Sequence, residues 1–333
     1  MPEASVVILN WNRGELTREA ILSVLNQRGV ELEVIVVDNG SSDGSREKLK
    51  AEFAGRIRLI ENPANLGFSP AHNQAFKAAS GDWIALLNND AAADPAWLKN
   101  SLARAKSAPR VGMVVPRILR YLDREQLDGI GVGFWRDGLS RACHRGELDS
   151  ARLDGERPIL ASGCAGLLSL KMLEQLGGYD PGFFAYSEDT DLGIRAFLSG
   201  WECVFEPRAV VYHRYSQTSA QAGGYSPLKL YLVERNRFRI LVRYYPLRLL
   251  PASLLTSPIR LIFQALQALA QPGQGSARKS AWALFKAVLG AFWTLPDQWK
   301  WRKQWLSRPG AKAAISRAIS EHFIPLKEIS RLD

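Results

Sequence analysis

Two acidic side chains stand where apolar, strand-like runs end, a position from which a side chain can reach a ligand. Asp38 closes the run that begins at Val34, and Asp90 follows the run that begins at Trp83. Mg2+ often takes only one or two carboxylates when substrate phosphates supply its other ligands. Asp90 is therefore a candidate metal ligand, and Asp38 a candidate partner for a sugar hydroxyl or the N3–H of a pyrimidine. Both acids would also be ordinary residues in a turn that follows a strand.

A pair of adjacent acids, Glu188 and Asp189, opens a helical pattern directly after Phe183, Phe184 and Tyr186. Aromatic neighbours partly desolvate a carboxylate and raise its pKa, which suits a general base. Adjacent side chains point about 100° apart on a helix, so the two acids cannot face the same pocket. We expect one to act as the base and the other to support it, although acids in a first turn also simply favour the helix dipole.

Histidines supply two further candidates. His213 ends the strand-like run V-V-Y-H, and histidine is the commonest nitrogen ligand of metals, although a lone histidine is more often structural. The loop at Asn65–Phe68 leads into a helical pattern with His72, and the amides of a helix start can receive phosphate. The sequence contains no GxGxxG, P-loop, HExxH or GxSxG motif, which argues against dinucleotide oxidoreductases, P-loop NTPases, zincins and α/β-hydrolases.

The elements that must position these residues alternate between strand and helix in the first half of the chain. The predicted strands are Ser5–Asn10, Leu32–Asp38, Ile57–Glu61 and Trp83–Asn88, and the predicted helices are Glu15–Asn26, Gly44–Phe53 and Ser69–Ala79. This order is typical of a parallel sheet with helices on both faces. Ligands of such folds lie at the carboxyl ends of the strands, so the polar residues found at those ends predict one shared crevice.

The rest of the chain divides into a mixed region and a basic tail. Strand-like runs at Gly129–Trp135 and Cys203–Pro207, a small apolar run at Ala161–Leu170 and a helical pattern at Asp189–Ser199 indicate completion of the sheet. We expect one folded domain over residues 1–220, whose second half faces a second substrate, and a separate helical region over residues 221–333.

Composition indicates a folded globular protein in a reducing compartment. Of 333 residues, 47% are hydrophobic and 23% charged, and the mean hydropathy is −0.13. The three cysteines offer neither a disulfide framework nor a zinc motif, and no secretory signal opens the chain, so we expect a cytoplasmic protein.

Positive charge is concentrated in the tail. Residues 1–215 carry 25 Lys and Arg against 28 Asp and Glu, whereas residues 216–333 carry 18 against five. Apolar stretches at Leu254–Leu269 and Ala281–Leu295 are interrupted by Arg260 and Lys286, and fall short of the roughly 18 to 20 residues of a spanning helix. Amphipathic helices on an anionic membrane surface are favoured over nucleic-acid binding. Helices packed on the body, with a solvated basic face, are the alternative.

Seven segments together resemble, in order and spacing, the family-two inverting glycosyltransferases of GT-A fold, and most of all their rhamnosyltransferase-like bacterial members. They are SVVILNWN, VIVVDNGSSDG, ENPANLGFSPAHN, WIALLNND, SGCAGLLSLKMLEQLGGYD, FFAYSEDTDLGIR and VVYH, within residues 3–216. A weaker likeness continues through ERNRFRILVRYYP. The resemblance implies an α/β fold with a Rossmann-like mixed sheet flanked by helices, followed by the basic, mostly helical extension. It also implies that residues 1–220 form a catalytic domain, with a nucleotide-binding half at about 1–110 and an acceptor half at about 111–220.

The resemblance also implies roles for individual residues. Asp38 holds the base or ribose, Asp189 is the catalytic base with Glu188 beside it, and Asp90 is the last acid of the DxD motif, binding Mg2+ or Mn2+. His213 is a partner of the metal or the diphosphate. Further nucleotide-binding residues are Asn10, Asn12, Asn65, Gly67, His72 and Asn88. Asn88 replaces the first DxD acid, so the expected metal site is weaker but reasonable.

The implied activity is inverting transfer of a sugar, with L-rhamnose from dTDP-rhamnose favoured, from a nucleotide-diphosphate donor to a glycan or lipid-linked acceptor in cell-surface polysaccharide synthesis. The implied location is the inner face of the cytoplasmic membrane, with no nucleic-acid partner. A non-catalytic nucleotide- or carbohydrate-binding protein on the same scaffold is one alternative. A nucleotide-sugar pyrophosphorylase is another, although Asn10–Gly14 lacks its glycine-rich basic loop.

Overall fold

The structure is a computed structural model that describes residues 1–135, 137–214, 226–251 and 277–322. The chain divides into two compact units. The first comprises Met1–Val132 and Ala142–Tyr215, and the second Gly133–Arg141 and Ser216–Asp333. The boundary between the units therefore lies after Tyr215, except that the internal segment Gly133–Arg141 belongs to the second unit.

Among the described residues, nine strands of the first unit form one mixed sheet in the order β3-β2-β1-β4-β10-β6-β11-β5, with β7 paired to β6. These strands are β1 (Ala4–Asn10), β2 (Leu32–Asp38), β3 (Arg58–Glu61), β4 (Trp83–Leu87), β5 (Ala91–Ala93), β6 (Val111–Arg120), β7 (Leu127–Gly129), β10 (Ala165–Ser169) and β11 (Glu202–His213). The helices are α1 (Gly14–Leu25), α2 (Ser45–Glu52), α3 (Phe68–Ala78), α4 (Trp97–Ala105), α5 (Leu170–Leu176) and α6 (Glu188–Leu198).

The first four strands run parallel, which confirms the prediction from the alternating pattern. The register places Asn10 opposite Asp38, and Asp38 opposite Glu61, at the carboxyl ends of the strands. Buried apolar residues pack on both faces of the sheet: α1, α2 and α4 cover one face, and α3, α5 and α6 cover the other. This double cover explains why the strands read as nearly continuous apolar runs.

The second half of the sheet departs from the parallel pattern. Strand β10 runs antiparallel to both β4 and β6, and β5 runs antiparallel to β11. The register of β11 on β5 places His213 opposite Ala91, immediately beside Asp90. The antiparallel strands thereby return residues from the second half of the sequence to the polar edge formed by the first half.

Two strand predictions need correction. The run Gly129–Trp135 is two strands, because Gly131 adopts φ +67° and turns the chain between β7 and β8 (Val132–Phe134). Strand β8 pairs with β9 (Ser140–Ala142). The run Cys203–Pro207 is part of the longer β11, which continues to His213 past a register shift between Glu206 and Val210. A bulge at this point accommodates Pro207, which has no N–H for the ladder.

The second unit contains α7 (Pro227–Tyr244), α8 (Ala277–Trp293), α9 (Leu295–Leu306) and α10 (Ala311–Glu321). Helix α7 carries Arg237, a fully buried side chain that donates to Glu234 Oε2 at 3.0 Å and to the Asp137 carbonyl at 2.6 Å. This contact explains why the segment around Asp137 belongs to the helical unit. The predicted stretch Ala281–Leu295 is helical as far as Trp293, and Leu254–Leu269 lies outside the described residues.

No helix within the described part of the chain is both long enough and apolar enough to cross a bilayer.

Candidate functional site

The crevice begins with Asp38, whose carboxylate is fully buried at the end of β2. Its Oδ1 accepts from the Ser41 backbone at 3.0 Å, and its Oδ2 accepts from Asn10 Nδ2 at 2.7 Å. Asn10 Nδ2 also donates to Ser45 Oγ at 2.9 Å, while its Oδ1 accepts from the Thr17 hydroxyl at 2.8 Å. Through these bonds Asn10 fixes the Asp38 carboxylate, and its predicted contact with a nucleotide stays a prediction.

The loop after β3 is held by Asn39, a buried residue that the sequence reasoning missed. Asn39 Nδ2 donates to Asn65 Oδ1 at 2.9 Å and to the Gly67 carbonyl at 3.2 Å, and its Oδ1 accepts from the Leu66 backbone at 3.1 Å. Gly67 adopts φ +94°, and a Cβ there would lie 2.5 Å from the Phe184 ring. Asn65 and Gly67 therefore shape the start of α3 beside Asp38.

His213 connects two carboxylates at the end of β11. Its Nε2 lies 3.1 Å from Asp90 Oδ1, and its Nδ1 lies 2.8 Å from Asp128 Oδ2. All three side chains are buried, and the Cys164 thiol also contacts the ring. Burial lowers the pKa of His213, but Cys164, Asp128 and Asp90 together raise it well above its usual value. The structure thus brings Asp90 and His213 together, as the resemblance implied, and adds Asp128.

The donor set fits a hard divalent cation that also binds phosphate. Asp90 offers one carboxylate oxygen, and His213 offers one ring nitrogen only when Nε2 is deprotonated, so diphosphate and water would fill most positions. Within the described residues, no three His, Cys, Asp or Glu side chains converge to hold a metal ion by themselves. The geometry therefore suits a cation brought by a phosphate-bearing substrate, and Asn88, half-buried beside Asp90, contributes no charge.

Asp189 is held at the start of α6 by backbone donors. Its Oδ2 accepts from the Gly163 N–H at 3.0 Å, and its Oδ1 accepts from the Thr190 N–H at 2.7 Å. Glu188 is buried, and its Oε2 has no hydrogen-bond partner among the described residues. The two acids thus lie in different environments, as expected for neighbours on a helix.

These environments separate the two acids chemically. Desolvation and the Asp189 charge raise the pKa of Glu188 well above its usual range. Desolvation also raises the pKa of Asp189, but hydrogen bonds from Gly163 and Thr190 oppose the rise. The pKa of Glu188 is thus raised further than that of Asp189, so Asp189 is the acid better suited to accept a proton as a base. A pair of carboxyls with separated pKa values is the pattern by which acid and base roles are recognised.

We expect Glu188→Gln to stabilise the protein increasingly as pH rises above about 4.5, the reference value for glutamate. A carboxyl whose pKa is higher folded than unfolded loses stability as pH rises between the two values, because the unfolded chain releases its proton first. Thermal unfolding of both proteins from pH 4 to 8 measures the difference. Glu174→Gln, an exposed position on α5, is the control. A Tm difference between Glu188→Gln and the wild type that stays the same at every pH would contradict the expectation.

A short segment before β10 joins the two chemical centres. Gly163 donates its N–H to Asp189, and the carbonyl of the next residue, Cys164, accepts from the Asn88 backbone at 2.8 Å. The Cys164 side chain contacts His213. The acid of α6 and the Asp90–His213 pair therefore share one supporting turn at the edge of the sheet.

Two other predicted residues have clear positions. Asn12 adopts φ +53°, and its Oδ1 accepts from the Ser42 backbone at 2.7 Å, so it folds back on the loop after β2. His72 is buried, its Nδ1 bonds the Phe68 carbonyl at 2.9 Å, and desolvation lowers its pKa to about 4. Its ring packs among Phe68, Phe76 and Tyr179, so its predicted contact with a nucleotide stays a prediction.

Sequence reasoning missed Asp128, Cys164 and Asn39. Asn39 stands beside Asp38 in the same motif, and Cys164 lies in a segment that carried the resemblance. The sequence offered one signal for Asp128, because it is a lone acid within a short apolar strand. An acid in such a strand is rarely buried without a partner, so its position indicates a paired side chain.

Comparison with known proteins agrees with this geometry. The sequence model of the family described as Glycosyl transferase family 2 matches residues 5–168. An N-acetylglucosaminyl-diphospho-decaprenol L-rhamnosyltransferase of Mycobacterium tuberculosis is 29% identical over 228 residues, covering 61% of this chain and 72% of the relative. Succinoglycan biosynthesis protein ExoO of Rhizobium meliloti is 36% identical over 108 residues, covering 32% and 31%.

Solved structures show the same fold. TarS residues 1–349 of S. aureus match with TM-score 0.54 and 15% identity, over 96% of this chain and 89% of that one. Mannosyltransferase PcManGT from Pyrobaculum calidifontis, solved with GDP-Man and Mn2+, matches with TM-score 0.51 and 17% identity, over 96% and 87%. The family match and the curated relatives favour a transferase over the binding-protein and pyrophosphorylase alternatives. The chain carries a family 2 glycosyltransferase domain over residues 5–168 and has the GT-A fold.

Proposed function

We propose that the protein transfers L-rhamnose from dTDP-L-rhamnose to a glycan or lipid-linked acceptor, with inversion at the anomeric carbon, in cell-surface polysaccharide synthesis. The observation that carries the proposal is the shared turn at Gly163–Cys164, which supports both Asp189 and the Asp90–His213 pair. A transfer reaction needs a base at the acceptor and charge stabilisation at the leaving diphosphate. The mycobacterial relative supports rhamnose as the sugar.

In the proposed reaction, Asp189 accepts the proton of the acceptor hydroxyl as its oxygen bonds to the anomeric carbon. The bond from that carbon to the donor diphosphate breaks on the opposite face, so configuration inverts. Asp38 receives the nucleoside, with Asn10 fixing its carboxylate. Asp90 and His213 lie where they would hold a divalent cation, Mg2+ or Mn2+, and such a cation neutralises charge that develops on the diphosphate.

Binding of nucleotide sugars by the full-length protein tests the proposal. Calorimetry with dTDP-rhamnose, UDP-sugars and GDP-mannose, each with Mg2+, Mn2+ or EDTA, is expected to show metal-dependent binding that is tightest for dTDP-rhamnose. A tighter UDP- or GDP-sugar would reassign the donor within the same class. Transfer to N-acetylglucosaminyl-diphospho-polyprenol then tests the acceptor suggested by the relative's name. Absence of binding to any donor by folded protein would reject the proposal.

Asp128 is proposed as a positioning residue for the metal pair. A carboxylate that accepts from one ring nitrogen of a histidine fixes the orientation of the other, and loss of such a partner typically weakens metal binding about 10- to 100-fold. We therefore expect Asp128→Asn to weaken Mn2+ binding in the presence of nucleotide by about that factor. Electron paramagnetic resonance of free Mn2+ measures it. Unchanged Mn2+ affinity in the folded variant would show that Asp128 only fills space.

An enzyme with a lipid-linked acceptor works at a membrane surface. We place this protein at the inner face of the cytoplasmic membrane, attached through its basic C-terminal region, residues 221–333.

A further inference from the structure

Helix α8 exposes large apolar side chains to an unusual degree. Trp282, Phe285, Leu289, Phe292 and Trp293 are 54%, 51%, 50%, 68% and 89% exposed. At 100° per residue these five positions occupy an arc of about 100° on one side of the helix. We call this surface the aromatic patch. A soluble protein rarely leaves so much contiguous apolar surface without a partner.

The aromatic patch is additional to the face by which α8 joins its own unit. Ser280, Ala283, Leu284 and Ala287 lie on the other side of the helix and are buried, and α8 packs on α7. The helix is therefore already anchored through this buried side. Exposed aromatic side chains cost solubility, so a second apolar face needs a separate explanation.

The helices that carry and follow the patch are basic. Residues 277–322 carry nine Lys and Arg and two acids. The Lys286 ammonium lies over the Trp282 ring at 5.4 Å from its centroid, and the exposed Lys300 and Lys303 follow on α9. Tryptophan and lysine side by side are typical of the boundary between headgroups and acyl chains, where an aromatic ring enters the apolar layer and an ammonium reaches the phosphates.

We propose that the aromatic patch inserts into the interfacial layer of an anionic lipid bilayer, with α8 lying parallel to the surface. The proposal deepens the proposed membrane location and is independent of the identity of the donor sugar. Length and hydropathy favour a helix that lies on the bilayer, because no described helix is able to cross it. Anionic phosphates complement the basic residues, which gives the electrostatic part of the attraction.

A second copy of the chain fits the patch less well. Pairing α8 with α8 around a two-fold axis would bring Lys286 of both copies, each within reach of its own Trp282, close to one another. Like charges at an interface oppose association, whereas they strengthen attraction to an anionic surface.

Flotation of the full-length protein with vesicles tests the proposal. We expect binding to phosphatidylglycerol/phosphatidylethanolamine vesicles, and weaker binding to phosphatidylcholine vesicles. The double variant Phe292→Ser/Trp293→Ser is expected to bind anionic vesicles about tenfold less tightly or worse, because membrane affinity scales with inserted apolar area. The matched control, Leu122→Ser/Leu148→Ser, removes two exposed leucines from the catalytic unit and should bind like the wild type.

A charge-reversal variant, Lys286→Glu/Lys300→Glu, tests the electrostatic part without altering the apolar surface. It is expected to bind anionic vesicles at least about tenfold less tightly and to lose the preference for them. Tm values and nucleotide binding by every variant show whether the fold is retained. Equal vesicle binding by the patch and control variants would overturn the inference, as would loss of a dimer by the patch variant with unchanged vesicle binding.

The outcomes for membrane and donor separate cleanly. If the wild type binds vesicles through the patch but binds no nucleotide sugar, the proposed reaction is rejected and the proposed insertion of the patch is retained. If nucleotide sugars bind and the patch variant binds vesicles like the wild type, the proposed insertion of the patch is rejected and the proposed transfer reaction is retained.

Discussion

Replacing Asp189 by asparagine is expected to lower kcat by about 10²- to 10⁴-fold, the contribution of one positioned general base. Asparagine has nearly the same size but cannot take a proton from the acceptor. The amides of Gly163 and Thr190 that hold the carboxylate keep its pKa below that of Glu188, so Asp189 is the acid ready to accept a proton. Initial rates of sugar transfer at saturating donor and acceptor measure the effect.

Donor affinity separates loss of the base from loss of the fold. The Asp189→Asn protein should bind the nucleotide sugar about as tightly as the wild type, because the variant removes a group needed in the transition state. Asp82 is an exposed acid immediately before β4, and Asp82→Asn is a matched control that should keep full turnover. Turnover that survives Asp189→Asn and falls with Glu188→Gln would exchange the roles of the two acids.

The wild-type pH profile should reflect the same group. Since burial raises the pKa of Asp189 above its ordinary value, the acid limb of kcat is expected above about pH 4, with activity increasing as the carboxylate ionises.

Replacing Asp90 by alanine is expected to lower kcat/KM by about 10²-fold or more. A cation at a leaving diphosphate provides several kcal/mol of stabilisation, and each 1.4 kcal/mol is about tenfold in rate. Asp90 is the acidic residue that contacts His213 Nε2, so its loss removes one of two candidate ligands and leaves the histidine without that partner. Steady-state rates across a Mn2+ titration, together with calorimetry of the donor, measure the change.

Asn88→Asp adds a carboxylate to the candidate metal site, whereas Asp90→Ala removes one. It adds a carboxylate at a half-buried position two residues before Asp90 and restores the first acid of the DxD motif. We expect tighter Mn2+ binding than in the wild type, since a second carboxylate strengthens a site for a hard cation. If Asp90→Ala retains both metal-dependent donor binding and turnover, the cation is held elsewhere.

The sequence by itself determined the first four strands and the helices between them. Runs such as Val34–Asp38 are apolar throughout because helices cover both faces of the sheet, and that local pattern needs no knowledge of distant contacts. The same pattern placed Asp38 and Asp90 at one edge, because parallel strands end together. The motifs around Asp90 and Asp189 were likewise visible as short segments, and the comparisons confirmed the family that they indicated.

Only the tertiary structure decided which of these residues act on each other. The resemblance implied only that Asn10 lies near a nucleotide, and the structure adds that its side chain holds Asp38, 28 positions later. Asp128 lies 85 positions from His213, and nothing local to either residue predicts their pairing. Likewise, apolar periodicity marked α8 as a helix, but periodicity does not tell a face packed on α7 from one left open to solvent. Local propensity and patterning act over a few residues, whereas antiparallel return of the chain and helix docking bring together groups that the sequence keeps far apart.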